Sequence, residues 1–335
     1  MALLIVSGGC SSKRHQHVWE ERYIVAMKAQ DRGELEEAEA HYAQLIAYAP
    51  DAEHRAAAEF KRATLLEGRG AYEEALTAYA SLYSAEDIKG EGREYQARAI
   101  YRAARLLLDQ VGDEARGEAL LTDLLKHHGE WVAAEHALAL LRMRYTTRLG
   151  GAGARDALEV YLEENEGKPL HGHILFALAE LSGEDHARAM SYYQRVLEGR
   201  ASSALWDDAL WEIGAHQARL RDWSAALATY ERLATDFQEE SWFIGDYTSE
   251  HADAARLERA RIYLQELGEP MLAVKEYERF LRDFEENRLR DDAAWMRLEA
   301  LRAANATALY QEGVRAFLEE YPESRHVRQL KGGAP

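Results

Sequence analysis

Cysteine, proline and long apolar runs are scarce in this chain, and each scarcity closes off a class of protein. One cysteine, Cys10, in 335 residues excludes an internal disulfide framework and a cysteine-built zinc cage. The core must therefore be held by packing alone. Five prolines leave long stretches free of residues that interrupt a helix. No apolar stretch reaches the roughly eighteen residues that a membrane-spanning helix needs. Alternating runs of β-branched residues are nearly absent, which removes the signal for strands.

What is present is alanine, leucine, glutamate and arginine, all good helix formers, with a formal net charge of −18 at pH 7. Such a field repels a polyanion, so nucleic acid is not an expected partner. It attracts and steers a basic segment of another protein; acidic helix faces that simply keep the chain soluble are the other reading.

One local pattern recurs along the chain: a turn, a large residue, a small residue three on, an aromatic four further, then an apolar residue three beyond. The clearest copy is Gly33, Leu35, Ala38, Tyr42, Leu45. The next is Gly70, Tyr72, Ala75, Tyr79, Leu82, and a third is Gly112, Glu114, Gly117, Leu121, Leu124. Ala157 and Tyr161 follow the turn Gly150-Gly151-Ala152-Gly153; Ala189, Tyr193 and Val196 make a fifth copy. The sixth is Trp223, Ala226, Tyr230, Leu233, and the seventh Gly268, Pro270, Ala273, Tyr277, Phe280. A weaker eighth has Tyr310, Gly313 and Phe317.

Small, aromatic and apolar residues at i, i+4 and i+7 share one helix face. The small residue lets a neighbouring helix approach, and the ring fills the groove beside it. Each such helix is preceded by a second amphipathic one, as over Glu53 to Leu66, Trp206 to Leu220 and Ala252 to Leu264. The expectation is about sixteen helices in eight antiparallel pairs.

These residues resemble the tetratricopeptide repeat family. The sixth copy fits best, with Leu210, Ile213, Gly214, Ala226, Tyr230 and Leu233 at the family's spacing. The segments Trp206-Asp207-Asp208-Ala209-Leu210 and Tyr321-Pro322-Glu323-Ser324 are similar to a bacterial subgroup of envelope lipoproteins, among them β-barrel assembly lipoproteins and coordinators of envelope constriction. The resemblance implies an all-α, right-handed superhelical solenoid over residues 19–326. Its concave face, lined by the first helix of each pair, would hold peptide segments or helices of other proteins. It implies no catalytic residue.

The start of the chain carries a second resemblance. Ser7-Gly8-Gly9 before Cys10 is similar to the cleavage and lipidation site of bacterial lipoproteins, in which the thiol is diacylated and the preceding chain removed. The run before Cys10 is short and lacks a positive start, and position 7 is Ser where that family usually has Leu. Two acyl chains on Cys10 would anchor the protein stably, leaving the rest in an aqueous compartment, most simply the periplasm. A frayed apolar N-terminus is the other reading. Residues 1–18 are thus expected to be a signal-like start and linker, and 327–335 a flexible tail.

The search for chemistry ends in absences. There is no Gly-x-Ser-x-Gly elbow, no Gly-Lys-Ser or Gly-Lys-Thr, and no His-Glu-x-x-His. Gly150 to Arg155 precedes a helix, whose N-terminus could hold a phosphate, but a lengthened turn between two repeat helices is the favoured reading. The histidine pairs His15/His17, His127/His128 and His171/His173 lack the spacing of a zinc site. The expectation is no enzyme, no metal, no cofactor and no small-molecule substrate. An enzyme using the superhelix as a substrate cradle is the third alternative, after a lipid-anchored envelope scaffold and a soluble cytoplasmic adaptor or chaperone-like protein.

Candidate partner contacts are aromatic. Trp211 and Trp295 lie on first helices. The insert Gln238 to Glu250 brings Trp242, Phe243 and Tyr247, and a loop longer than its counterparts is often functional. Tryptophan and tyrosine commonly anchor interfaces, although core packing is their more frequent fate.

Overall fold

The computed structural model describes the backbone of residues 8–199, 205–240 and 251–332, with side chains over 15–199, 205–235 and 251–330. Among these residues there is no strand. The chain divides into two compact units, Met1–Ala177 and Leu178–Pro335.

The first unit contains α1 (Gly8–Asp31), α2 (Leu35–Ala47), α3 (Ala52–Gly68), α4 (Tyr72–Tyr83), α5 (Gly92–Leu106), α6 (Glu114–His127) and α7 (Val132–Glu159). The division falls inside α8 (Leu170–Glu180). The second unit contains α9 (His186–Glu198), α10 (Trp206–Arg219), α11 (Trp223–Glu240), α12 (Ala252–Arg261), α13 (Pro270–Asp283), α14 (Arg290–Ala303), α15 (Thr307–Glu320) and α16 (Val327–Gly332). In the first unit each helix packs on the next from α1 to α7, and the same holds from α9 to α15 in the second. Each unit is therefore a run of helix hairpins stacked in sequence order, and the fold is an all-α solenoid.

Among the described residues one backbone feature recurs at the hairpin turns. One residue in each turn takes a left-handed conformation: Gly33, Gly70, Gly112, Gly150, Gly183, Arg221, Gly268 and Asn305. In four of these turns the next residue donates its N–H to a carbonyl five positions back, Glu34 to Ala29, Ala71 to Leu66, Asp222 to Gln217 and Ala306 to Leu301, at 2.9–3.0 Å; after Gly112 and Gly268 the reach is six positions, Asp113 to Leu107 and Glu269 to Tyr263. That satisfies carbonyls which the ending helix would otherwise leave bare. Glycine bears the positive φ without a Cβ penalty; Asn305 is the tolerated substitute, and Arg221 carries strain.

The recurring pattern becomes the core. Ala38, Tyr42 and Leu45 are buried with Trp19, Ala26 and Ala58, while Ala75, Tyr79 and Leu82 are buried with Phe60, Ala99 and Ala103. Gly117, Ala189, Tyr193, Ala226, Tyr230, Ala273, Tyr277, Gly313 and Phe317 are all buried in the same way. At the helix crossings contact is close. A Cβ on Gly214 would lie 2.6 Å from the Tyr230 ring, and one on Gly117 would lie 2.5 Å from Leu108.

The fourth hairpin departs from its expected register. The turn there is not four residues long; α7 runs through it and breaks only at Gly150 (φ 73°, ψ 174°). The second arm therefore starts early. The fully buried small residue is Ala154, followed by Leu158, with Tyr161 in the last position, while Ala157 is only half-buried. Asn165, wholly buried, closes this hairpin by donating to the carbonyls of Leu125 (2.7 Å) and Tyr161 (2.9 Å).

Both chain ends also differ from expectation. Residues 8–18, read as linker, continue α1, and Trp19 donates its indole N–H to the Leu45 carbonyl at 2.9 Å. Residues 327–332, read as tail, form α16, because Val327 is buried against the cluster around Phe280, Leu301 and Phe317.

Candidate functional site

Three arrangements carry more chemistry than packing requires. The first is a solvent-open cleft of about 540 Å³ among α2, α3 and α4. Its apolar lining is Ile46, Leu66 and Ala78, and its charges are Glu59, Glu73, Glu74 and Arg62. Glu59 lies half-buried on α3, and burial raises its carboxyl pKa; Arg55 opposes that rise and Asp87 adds to it. The Arg55 guanidinium, 3.6 Å from Glu59, is shared with Asp87 at 2.6 Å. Arg62 leans instead toward Glu39 on α2, at 3.3 Å. Glu59 is thus a carboxylate with more desolvation than compensation, in a cleft whose lining is acidic on balance. A cation entering there gains both the charges and the apolar wall.

The second arrangement concerns the tryptophans. Trp211 and Trp295 are half-buried and neither is a free surface ring. Trp211 stacks on His251 at 5.3 Å and tilts onto Tyr230 at 5.4 Å. His251 in turn meets the Asp208 carboxylate at 2.8 Å. Trp295 repeats this geometry: it stacks on His326 at 4.9 Å, and His326 meets Asp292 at 2.6 Å. In the first unit Trp19 meets His54 edge-on at 4.8 Å, and Tyr101 meets His136 at 5.5 Å. An aromatic side chain on one first helix is thus covered by a histidine from the next repeat. Sequence reasoning missed these rungs, although the signal is there: each histidine follows its aromatic partner by roughly one repeat.

The third arrangement is ionic and buried. Arg256 and Arg259 on α12 and Glu276 on α13 are each less than a tenth exposed. Arg259 reaches Glu276 at 3.0 Å, and Arg256 reaches Glu231 of α11 at 2.6 Å and Glu276 at 3.3 Å. Arg259 also donates to the Leu227 carbonyl. Burial pushes the Glu276 carboxyl up, but the Arg259 hydrogen bonds and the charges of Arg259, Arg256 and Arg279 outweigh it and leave it below the usual carboxylate range. This set ties three consecutive helices together.

Trp242, Phe243 and Tyr247 lie outside the described residues, as does the Cys10 side chain. His127 ends α6 and His128 follows as its cap, where burial disfavours the charged form of the His128 imidazole. Among the described residues no group of three or more His, Cys, Asp or Glu could hold a metal ion, and no helix is long and apolar enough to cross a membrane.

No family model matches the chain, and no curated protein matches it. Solved structures do. The chain is similar to a tetratricopeptide repeat protein from Parabacteroides merdae, at 15% identity over 84% of this chain and 98% of that one, with a TM-score of 0.34. It is similar to the C-terminal part of a TPR repeat-containing protein from Cytophaga hutchinsonii, at 12% identity over 81% and 98% of the two chains, with a TM-score of 0.45. It is also similar to the apo form of RapI, at 13% identity over 81% and 77%, with a TM-score of 0.49. These are likenesses of fold; the hairpin assignment itself rests on the packing described above.

Proposed function

We propose that the chain is a non-catalytic scaffold that captures cationic, partly apolar segments of other proteins in the cleft among α2, α3 and α4. The observation that carries this reading is the pairing, in one cleft, of an apolar wall (Ile46, Leu66, Ala78) with the under-compensated Glu59 and the exposed Glu73 and Glu74. A lysine or arginine beside a leucine on the partner meets both halves. The net charge of −18 steers such a segment toward the chain.

The scaffold is held at the bacterial envelope, with its hairpins in the periplasm, by acyl chains on Cys10. This part of the reading is supported by Ser7-Gly8-Gly9-Cys10 alone.

Binding of synthetic peptides, followed by fluorescence anisotropy, tests the first part. A Lys/Leu peptide is expected to bind and to weaken as salt rises. Replacing Glu59, Glu73 and Glu74 together by Gln should weaken it by about ten-fold, or about 1.4 kcal/mol. A Glu/Leu peptide that binds as well as the Lys/Leu peptide sinks the reading. The second part is tested by the mass of the protein extracted from native membranes. A diacylated N-terminal Cys10 supports the anchor, and a free thiol on a chain recovered from the cytoplasm rejects it in favour of a soluble adaptor.

A further inference from the structure

Position 186 opens the second helix of the fifth hairpin, three residues before the buried small residue Ala189. The same place in three other hairpins holds Leu35, Tyr72 or Trp223, each packed against an apolar cluster; the third hairpin has Glu114 there. His186 instead faces a second histidine. Its Nδ1 lies 2.8 Å from Nδ1 of His216, a residue of α10 that is 7% exposed. The two rings sit 5.0 Å apart, and Tyr193 of α9 lies 6.0 Å from His216 on the same side.

At that separation one Nδ1 donates a proton and the other must accept with its lone pair. The pair holds with neither ring charged, and it holds with one ring charged and donating. It does not hold with two, because both nitrogens then carry hydrogens pointed at each other. The surrounding groups decide how hard the second proton is resisted. Glu184, fully exposed, lies 3.6 Å from Nε2 of His186. Burial, then Arg219 and His186 itself, disfavour the charged form of His216, with Glu184 acting the other way. Asp185 is occupied as the cap of α9, accepting from the Arg188 N–H at 3.2 Å.

We propose that the His186–His216 contact is an acid-sensitive joint, which seats the start of α9 on α10 at neutral pH and releases it when both imidazoles become charged. At Leu35, Tyr72 and Trp223 the same place packs on an apolar cluster, so acid loosens the fifth hairpin and leaves those three seated. The device is independent of the peptide cleft, which lies on other helices.

Backbone amide exchange at pH 7.5 and pH 5.0, corrected for the intrinsic rate of exchange, reads the joint directly. Protection of the first turns of α9 should fall at least about ten-fold relative to α4 on going to pH 5.0, the range in which histidine charges. His186→Leu, which places there the residue type of Leu35 in the first hairpin, should abolish that fall. Unchanged α9 protection at pH 5.0 in the wild type overturns the proposal, as does an equal fall in His186→Leu. Imidazole nitrogen shifts of the wild-type protein give a separate reading that needs no variant. Both rings charged when α9 opens is the expected result; α9 opening while His216 stays neutral also overturns it.

Discussion

The joint around α4 and the joint around α13 use the same hairpin geometry with opposite chemistry. Around α4 the interior is apolar: Phe60, Ala63, Tyr79, Leu82, Ala99 and Ala103 fill it. The charges stay near the edge, with Arg102 reaching Glu67 at 3.2 Å and Tyr79 donating its hydroxyl to Glu67 at 2.6 Å. Around α13 the ring Tyr277 is equally buried, but beside it two guanidinium groups and the Glu276 carboxylate are sealed from water. The lesson is that the small residue and the ring set how near the helices come. What fills the rest of the joint is free to be hydrocarbon or ions. The two choices differ in what breaks them: an apolar joint is sensitive to volume, an ionic one to the loss of a single charge.

The largest effect should come from the ionic joint. Glu276→Ala leaves two buried guanidinium groups, Arg256 and Arg259, to share Glu231 alone, so that one buried charge is uncompensated, and should lower stability by about 3–5 kcal/mol in urea unfolding. A loss below about 1 kcal/mol would remove the distinction drawn here. The same carboxylate gives the joint an acid limit. Its folded-state pKa is depressed, so its contribution is complete above the unfolded value of about 4.3 and fades as pH falls through the lower folded value. Stability of the wild type should therefore drop more steeply below about pH 4 than that of Glu276→Gln, which has lost the titration.

A middle-sized effect probes what the joints share. Gly214→Ala would drive a methyl into the Tyr230 ring, only 2.6–3.0 Å from where the Cβ must sit. Overpacking of this kind should cost about 1–3 kcal/mol, at any pH. A neutral result would mean that close helix approach is not what fixes the hairpin spacing.

The smallest effect belongs to the edge of the apolar joint. Tyr79→Phe removes a hydrogen bond to Glu67, a partner that retains access to water, and should cost about 0.5–1.5 kcal/mol. A cost as large as that of Glu276→Ala would show that polar edges matter as much as buried ions.

Most of the hairpin architecture was legible, because the small–aromatic–apolar spacing is the packing itself and needs no long-range knowledge. Gly33, Ala38, Tyr42 and Leu45 say where one helix ends and which face of the next is buried. The fourth hairpin was misread by one turn of logic: Gly150-Gly151-Ala152-Gly153 reads as a loop by composition, yet only Gly150 leaves the helix. Three small residues that keep helical angles look the same in sequence as three that do not. The partner residues were legible only as residue types. Trp211 and Trp295 are aromatic residues on first helices, as read, but His251 and His326 cover them from a repeat away. The cleft was invisible because Ile46, Glu59 and Glu73 come from three helices and no local spacing links them. Arg256 and Arg259 carried no signal in the sequence, because the carboxylates that pair with them lie on α11 and α13.

The left-handed residue that closes each hairpin has a consequence for how this chain can change. Every hairpin resets its own phase at that residue, so a length error in one does not reach the next. The fourth hairpin places its small residue one position early after Gly150, the fifth one position late after Gly183, and the sixth is back in step after Arg221. Insertions and deletions are absorbed locally, and whole hairpins are the natural unit by which such an array lengthens or shortens.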